Sequence, residues 1–224
     1  MENTATQKRN ALVYGKTKFT AKTIALIKEL NPKVVFEFGA FNGADTLLYR
    51  ALFPEAEIYS FEPNPLSYQK AKQLLESENI HFYNYAIADT LREMDFHYMI
   101  NREDKGRQSP AGSFYPFTDK LKKDLGDKWM FPLPIKVLCM SIEHFCQRHN
   151  IANIDYIHMD VEGAVSLVLK GMGDLRPNMI YAEIVANWAC LGAFSPQQNN
   201  TLFKTMGYAS VAKNGADRLY KFKG

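Results

Sequence analysis

The chain has 224 residues, 46% hydrophobic and 23% charged, enough to bury one full core and ordinary for a globular domain. Its net charge of +3 is small and dispersed, so no nucleic-acid partner is expected. Cys139, Cys146 and Cys190 are odd in number and far apart, which indicates neither a disulfide framework nor a zinc knuckle and favours a reducing compartment. With no run approaching a membrane span and no signal-like stretch in residues 1–10, a cytoplasmic single domain over 1–224 is expected, with self-association into a homo-oligomer left open.

In chain order, residues 1–16 are polar and predict a loosely held segment. Ile24, Ile27 and Leu30 recur at helical spacing over 20–30, and Pro32 ends that helix. A strand follows over 34–38, a helix over 44–52, a second strand over 57–61, a helix over 66–76 and a third strand over 80–86. This alternation predicts an α/β fold with a Rossmann-like, doubly wound, mostly parallel sheet. The rhythm breaks over 91–138. Residues 94–100 alternate like a strand, and 134–140 could return antiparallel beside it. Residues 102–132 between them carry Phe114, Tyr115, Phe117 and Trp129, too much aromatic surface for a solvated tether. An insertion facing the substrate, spanning about 102–133, is expected there. Regular order then resumes: a helix over 141–150 capped by Ser141, a strand over 155–159, a helix over 164–170, and a strand over 179–185. Residues 187–200 read as a loop and 201–206 as a short helix. Residues 208–213 and 217–222, joined around Asn214-Gly215, read as a closing antiparallel hairpin, which completes a seven-stranded sheet.

The stretch Glu37-Phe38-Gly39-Ala40-Phe41-Asn42-Gly43 reads as a strand end, a glycine turn and a helix start, where unpaired N–H groups and the positive end of the helix dipole welcome an anion. A dinucleotide fingerprint would need a second glycine where Phe41 stands and a third where Ala44 stands, so NAD fits poorly. Glu37 would repel a pyrophosphate but would suit an ammonium group. Glu62, 19 residues beyond Gly43, is close to the spacing of about 20 at which an acid meets a ribose diol. An amino acid joined to a nucleoside satisfies both acids, and S-adenosyl-L-methionine has that make-up. On this reading Glu62 is a strand-end carboxylate, mostly solvated, whose removal weakens ligand binding and spares the empty protein.

With these residues in order, the chain resembles the FkbM-type methyltransferases, a branch of the class I S-adenosylmethionine-dependent enzymes. The matching pieces are Phe36–Gly43, Phe61-Glu62-Pro63-Asn64-Pro65, Ala86-Ile87-Ala88-Asp89, Ile154–Ala164 with Leu167, Leu169 and Gly171, and Tyr181-Ala182-Glu183-Ile184. The resemblance implies a transferase that moves a methyl group, usually to a hydroxyl oxygen of a sugar, glycan or polyketide-like small molecule. It implies a cofactor site made by Glu37, Gly39, Ala40, Phe41, Asn42, Gly43, Glu62, Pro63, Asn64, Ala88, Asp89 and Asp160. The chain departs from the family where His158 replaces a common lysine, Val165 a common acid, and Glu37 a more frequent aspartate. Those departures keep open a second reading, a methyltransferase fold worn into a binding protein.

Transfer to an alcohol needs a base near the hydroxyl. Asp160 and Glu162 are two apart on what reads as an extended segment, so both should point the same way beyond the carboxyl ends of the strands. Either could instead cap the helix at Ala164, Glu162 with the better claim because Gly163 follows it. His158 alternates in phase with them and is a rival base, although a histidine within a buried strand is more often a core residue. Asp160, Glu162 and Glu183 offer hard oxygen ligands, but their spacing does not demand a metal and none is assigned.

Overall fold

In the computed structural model, which describes residues 19–104, 108–185 and 189–224, the glycine-turn strand β1 (Val34–Phe38) lies inside a sheet. β1 pairs in parallel with β2 (Glu57–Phe61) on one side and β9 (Tyr156–Met159) on the other, and all but its first residue is buried. Both faces are covered, so the run Val-Val-Phe-Glu-Phe is continuous rather than alternating. With β3 (His81–Tyr83), β10 (Met179–Glu183) and the hairpin β11 (Tyr208–Asn214) and β12 (Asp217–Phe222), the strand order is β11-β12-β10-β9-β1-β2-β3. Only the hairpin runs antiparallel to its neighbours. The expected seven-stranded doubly wound sheet is therefore present. The expected N-terminal segment 1–16 lies outside the described residues.

The helices start where side chains supply the missing acceptors. Thr20 caps α1 (Ala21–Leu30), Asn64 followed by Pro65 caps α3 (Pro65–Leu75), and Ser141 caps α5 (Ile142–His149). α2 (Ala44–Leu52) starts instead from Gly43 at φ 78°. Phe36, Phe38, Phe61 and Phe145 pack on one face of the sheet; Val35, Leu47, Tyr156 and Tyr181 pack on the other.

Three expectations change. The strand expected over 80–86 divides: β3 stays in the main sheet and β4 (Ala86–Ala88) leaves it to pair in parallel with β8 (Ile135–Ser141). β5 (Arg92–Phe96) pairs antiparallel on the other side of β8, as expected, though it starts two residues earlier than read. The switch occurs at Asn84, whose side-chain amide donates to the carbonyls of Glu62 and Pro63 at 2.8 and 3.1 Å. Secondly, the region expected as loop and short helix over 187–206 holds α7 (Pro196–Thr205), started by a full capping box of Ser195 and Gln198. Its polar face hid it from a search for apolar periodicity. Residues 186–188 lie outside the described residues. Thirdly, the aromatic insertion folds on itself: β6 (Ile100–Asn101) pairs with β7 (Trp129–Met130) beside α4 (Asp119–Leu125), and Met99 and Phe117 pack with Cys190 and Ala193.

Arg50 at the end of α2 fastens the turns behind the sheet. Its guanidinium donates to the carbonyls of Pro54, Ala56, Glu78 and Asn79 at 2.8–3.0 Å. Arg50→Ala leaves those carbonyls without their shared donor, and the expected loss is about 2 kcal/mol, a fall in melting temperature of about 4–8 °C for a chain of this size. Arg50→Lys should recover only a fraction, because one ammonium cannot span four acceptors. A thermal melt equal to wild type for Arg50→Ala would show the clasp to be idle.

Candidate functional site

The glycine turn is shaped by backbone contacts before any ligand is considered. Gly39 sits at φ 89°, and a Cβ there would lie 2.0 Å from the carbonyl oxygen of Asp160, so only glycine lets β1 and the end of β9 approach. The N–H groups of Gly39 and Ala40 both reach the carbonyl of Phe61, at 2.9 and 3.0 Å. Gly43 N–H reaches the carbonyl of Ala40, and Ala44 N–H the side chain of Asn42. Most of the donors expected to meet an anion are bonded within the turn itself. Phe41, where a dinucleotide site would have glycine, is held at φ 47°.

Glu62 holds that residue. One carboxylate oxygen accepts from the N–H of Phe41 at 2.7 Å, the other from the N–H of Asn64 at 2.8 Å. The side chain is only 5% exposed, not solvated as the sequence suggested. Its removal therefore strands two backbone donors and costs the empty protein stability as well. Burial pushes its pKa up from 4.5 to about 7; the two N–H bonds pull it down and Asp160 adds a smaller upward push. A carboxylate with two oxygens offers about four acceptor positions, so two backbone bonds leave capacity for a pair of hydroxyls.

The cleft that Glu62 lines is walled by Phe38, Gly39, Phe41, Phe61 and Pro63 on the sheet side. Tyr85, Ala86 and Ile87 close one end, and Phe96, Pro110, Gly112 and Phe114 form the far wall. Asp160, Val161 and Ala164 complete it. Of the predicted cofactor residues, Gly39, Phe41, Glu62, Pro63 and Asp160 line this cleft. Asn42 borders a neighbouring hollow with Phe41, Ser67, Lys70 and Gln108. Ala40, Gly43 and Asn64 shape the turn and the α3 cap behind the wall. Ala88 is buried in β4, and Asp89 pairs with Arg92 at 2.8 Å; the wall is made three residues earlier because the chain has changed sheets at Asn84.

Asp160 follows β9, its N–H bonded to the carbonyl of Phe38 at 2.9 Å. One carboxylate oxygen from each of Asp160, Glu162 and Glu183 lies within 4.8 Å of the others. The proximity of Asp160 and Glu162 was expected, but its cause differs. The segment is a turn, not an extended strand, with Glu162 at φ 45° and Gly163 at φ 90°. Neither acid is the N-cap residue of the next helix: α6 (Val165–Lys170) starts from Ala164, whose side chain offers no cap. The three oxygens resemble a hard-ligand set for a divalent cation, but an acidic cluster alone defines no metal site.

Glu37 and His158 lie elsewhere. In the parallel ladders Glu37 stands beside Ser60 on one side and His158 on the other, with Tyr181 beyond, so all four share one face. Glu37 is 1% exposed and accepts from the hydroxyls of Ser60 at 2.6 Å and of Thr46. His158 Nδ1 is 3.9 Å from Glu37, and its ring is surrounded by Phe19, Tyr49 and Tyr181. These two residues form a polar row inside the core under α2. Neither lines the cleft, and the tie from Glu37 to Thr46 holds the start of α2 against β1.

The family described as the methyltransferase FkbM domain matches residues 37–208, a span that runs from Glu37 to the start of the closing hairpin. The chain belongs to the FkbM methyltransferase family. Its domain is accordingly an S-adenosylmethionine-dependent methyltransferase domain. A relative, the 2-O-methyltransferase NoeI of Sinorhizobium fredii, is 26% identical over 164 residues, covering 71% of this chain and 66% of the relative, just under two thirds of its length. Among solved structures, the Methanococcus jannaschii fibrillarin pre-rRNA processing protein superposes with a TM-score of 0.51 at 11% identity, covering 93% of this chain and 77% of that one. A methyltransferase from Geobacter sulfurreducens gives 0.49 at 13% identity, covering 99% and 89%. These structural likenesses are of fold alone.

The cleft suits the family's methyl donor. A buried acid with spare acceptor capacity faces it, aromatic walls flank it, and Gly39 removes the side chain that would block the approach of β1 to Asp160. Of the far wall, Pro110, Gly112 and Phe114 fall within the insertion expected to face the substrate, with Phe114 among the aromatics that marked it, whereas Phe96 gave no signal. Gly112 and Pro110 carry no signal of their own, because they work by proximity across the fold.

Proposed function

We propose that this chain transfers a methyl group from S-adenosylmethionine to a hydroxyl oxygen of a sugar, glycan or polyketide-like small molecule. The observation that supports the reading is the position of Asp160, which lines the same cleft as Glu62 and also belongs to the carboxylate cluster with Glu162 and Glu183. When bound, S-adenosylmethionine supplies an electrophilic methyl group on a sulfonium. Glu62 would accept from the ribose hydroxyls, and the aromatic walls would exclude water. Asp160 would orient the acceptor hydroxyl and take its proton as the C–O bond forms. Glu162 and Glu183 would hold neighbouring hydroxyls. The insertion over 102–133 would shape the acceptor side, a role supported by Pro110 and Phe114 lining the cleft. The name of the Sinorhizobium relative, a 2-O-methyltransferase, supports oxygen as the accepting atom.

The test is a calorimetric titration with S-adenosylmethionine, followed by transfer of a tritiated methyl group to a panel of methyl pyranosides differing in hydroxyl orientation. Saturable donor binding and label in a base-stable ether are the expected results. No donor binding would overturn the reading. Binding with no transfer to any hydroxyl compound would favour a worn, non-catalytic domain.

A further inference from the structure

The insertion does more than wall the cleft. Its segment from Gln108 to Phe117 crosses the domain and is fastened at intervals. Gln108, buried, accepts from the Ser67 hydroxyl at 3.0 Å and donates to Asn64 at 3.4 Å. Gly112 presses against Phe96, where a Cβ would come within 2.4 Å of the ring. Ser113 pairs with His97 through both backbone groups, at 2.8 and 2.9 Å, and is 1% exposed. Its hydroxyl accepts from the N–H of Tyr115 at 3.1 Å and spends its proton on the carbonyl oxygen of Glu162 at 2.7 Å. Cys190 Sγ approaches the same carbonyl at 3.6 Å.

Glu162 is a residue that needs holding. A non-glycine residue in the left-handed region is strained, and it stays there only when its surroundings leave no alternative. Glu162 is not the N-cap residue of the helix that follows. What the turn achieves is to bring the Glu162 carboxylate back beside Asp160 and Glu183, within 4.8 Å.

We propose that Ser113 is a positioning residue for the methyl transfer: its hydrogen bond to the Glu162 carbonyl holds the left-handed turn that sets the Glu162 carboxylate beside Asp160. The role rests on the methyl-transfer reading above. A purely structural Ser113 would fasten the insertion and leave the turn at 162 indifferent to its hydroxyl.

Wild type and Ser113→Ala are crystallised with S-adenosylhomocysteine, titrated with S-adenosylmethionine, and assayed on the methyl pyranoside that wild type uses fastest. In Ser113→Ala, residue 162 should leave the left-handed region and its carboxylate should part from Asp160. Turnover should fall about 10–10²-fold, the scale of a misplacement near 1 Å, with donor Kd kept within about twofold. Adding Ser113→Ala to Glu162→Gln should cost less than about twofold more, because both act through one carboxylate. An unchanged turn in Ser113→Ala, or losses that multiply in the double variant, would overturn the proposal. Wild type that fails to bind the donor defeats the methyl-transfer reading instead. If no pyranoside is methylated, the two crystal structures still decide the role of Ser113 in the turn.

Discussion

Asp160→Asn is expected to lower turnover about 10²–10⁴-fold with donor affinity nearly kept, the pattern of a lost proton acceptor. The substitution keeps the shape of the side chain, and the backbone of residue 160 is fixed independently, by its N–H bond to Phe38 and its carbonyl against Gly39. A fall in rate can then be assigned to the charge. Glu162→Gln should also slow the reaction but leave the melting temperature near wild type, because Glu162 is not the N-cap residue of α6 and the substitution keeps its shape. His158→Asn is the control. His158 is buried between aromatic rings away from the cleft, so its replacement should lower stability and leave turnover per folded molecule near wild type. Single-turnover rates and donor titrations on the three variants decide the matter. A larger loss of rate in His158→Asn than in Asp160→Asn would reverse the assignment, and full rates in all three would leave positioning alone to carry the reaction.

Much of this could be read from the chain because it is local. The runs 34–38 and 57–61 are mostly apolar strands with an acid near or beyond the end, and the turns after them are marked by Gly39, Gly43 and Pro63. What escaped depends on contacts distant in sequence. Nothing in residues 80–88 announces that β3 and β4 belong to different sheets, since the partner of β4 lies some fifty residues on, in β8. The left-handed conformation of Glu162 was hidden for a similar reason: Ser113 bonds its carbonyl from 49 residues away. Periodicity placed His158 and Asp160 on one face, but it cannot tell where a strand stops. β9 ends at Met159, and the chain turns from Glu162 onward. For Glu37 the expectation was an acid at a strand end. The ladder shows it one residue short of that end, inside the sheet beside Ser60 and His158.

Glu62→Gln should weaken donor binding by about 1–3 kcal/mol, roughly 5–150-fold, and should also remove a pH dependence that wild type shows. Both effects follow from the same burial. In the empty protein the Glu62 pKa is raised from 4.5 to about 7, chiefly by desolvation. The folded chain therefore holds a proton that the unfolded chain gives up near 4.5. The stability this contributes is fully present below pH 4.5 and is lost as the pH rises through about 7. Binding reverses the preference. Ribose hydroxyls donate to the carboxylate, so the donor favours the ionised form and expels the proton. Below pH 7 the affinity of wild type should climb about tenfold per pH unit at most, flattening above it. Titrations in two buffers of different ionisation enthalpy at pH 6 should show proton release on binding by wild type and none by Glu62→Gln. Asp160→Asn should shift the wild-type profile slightly to lower pH, because the Asp160 charge is one of the influences raising the Glu62 pKa. An affinity independent of pH between 5.5 and 8 (about one to two units either side of the midpoint), in a protein that binds the donor well, would mean that Glu62 does not face the ribose.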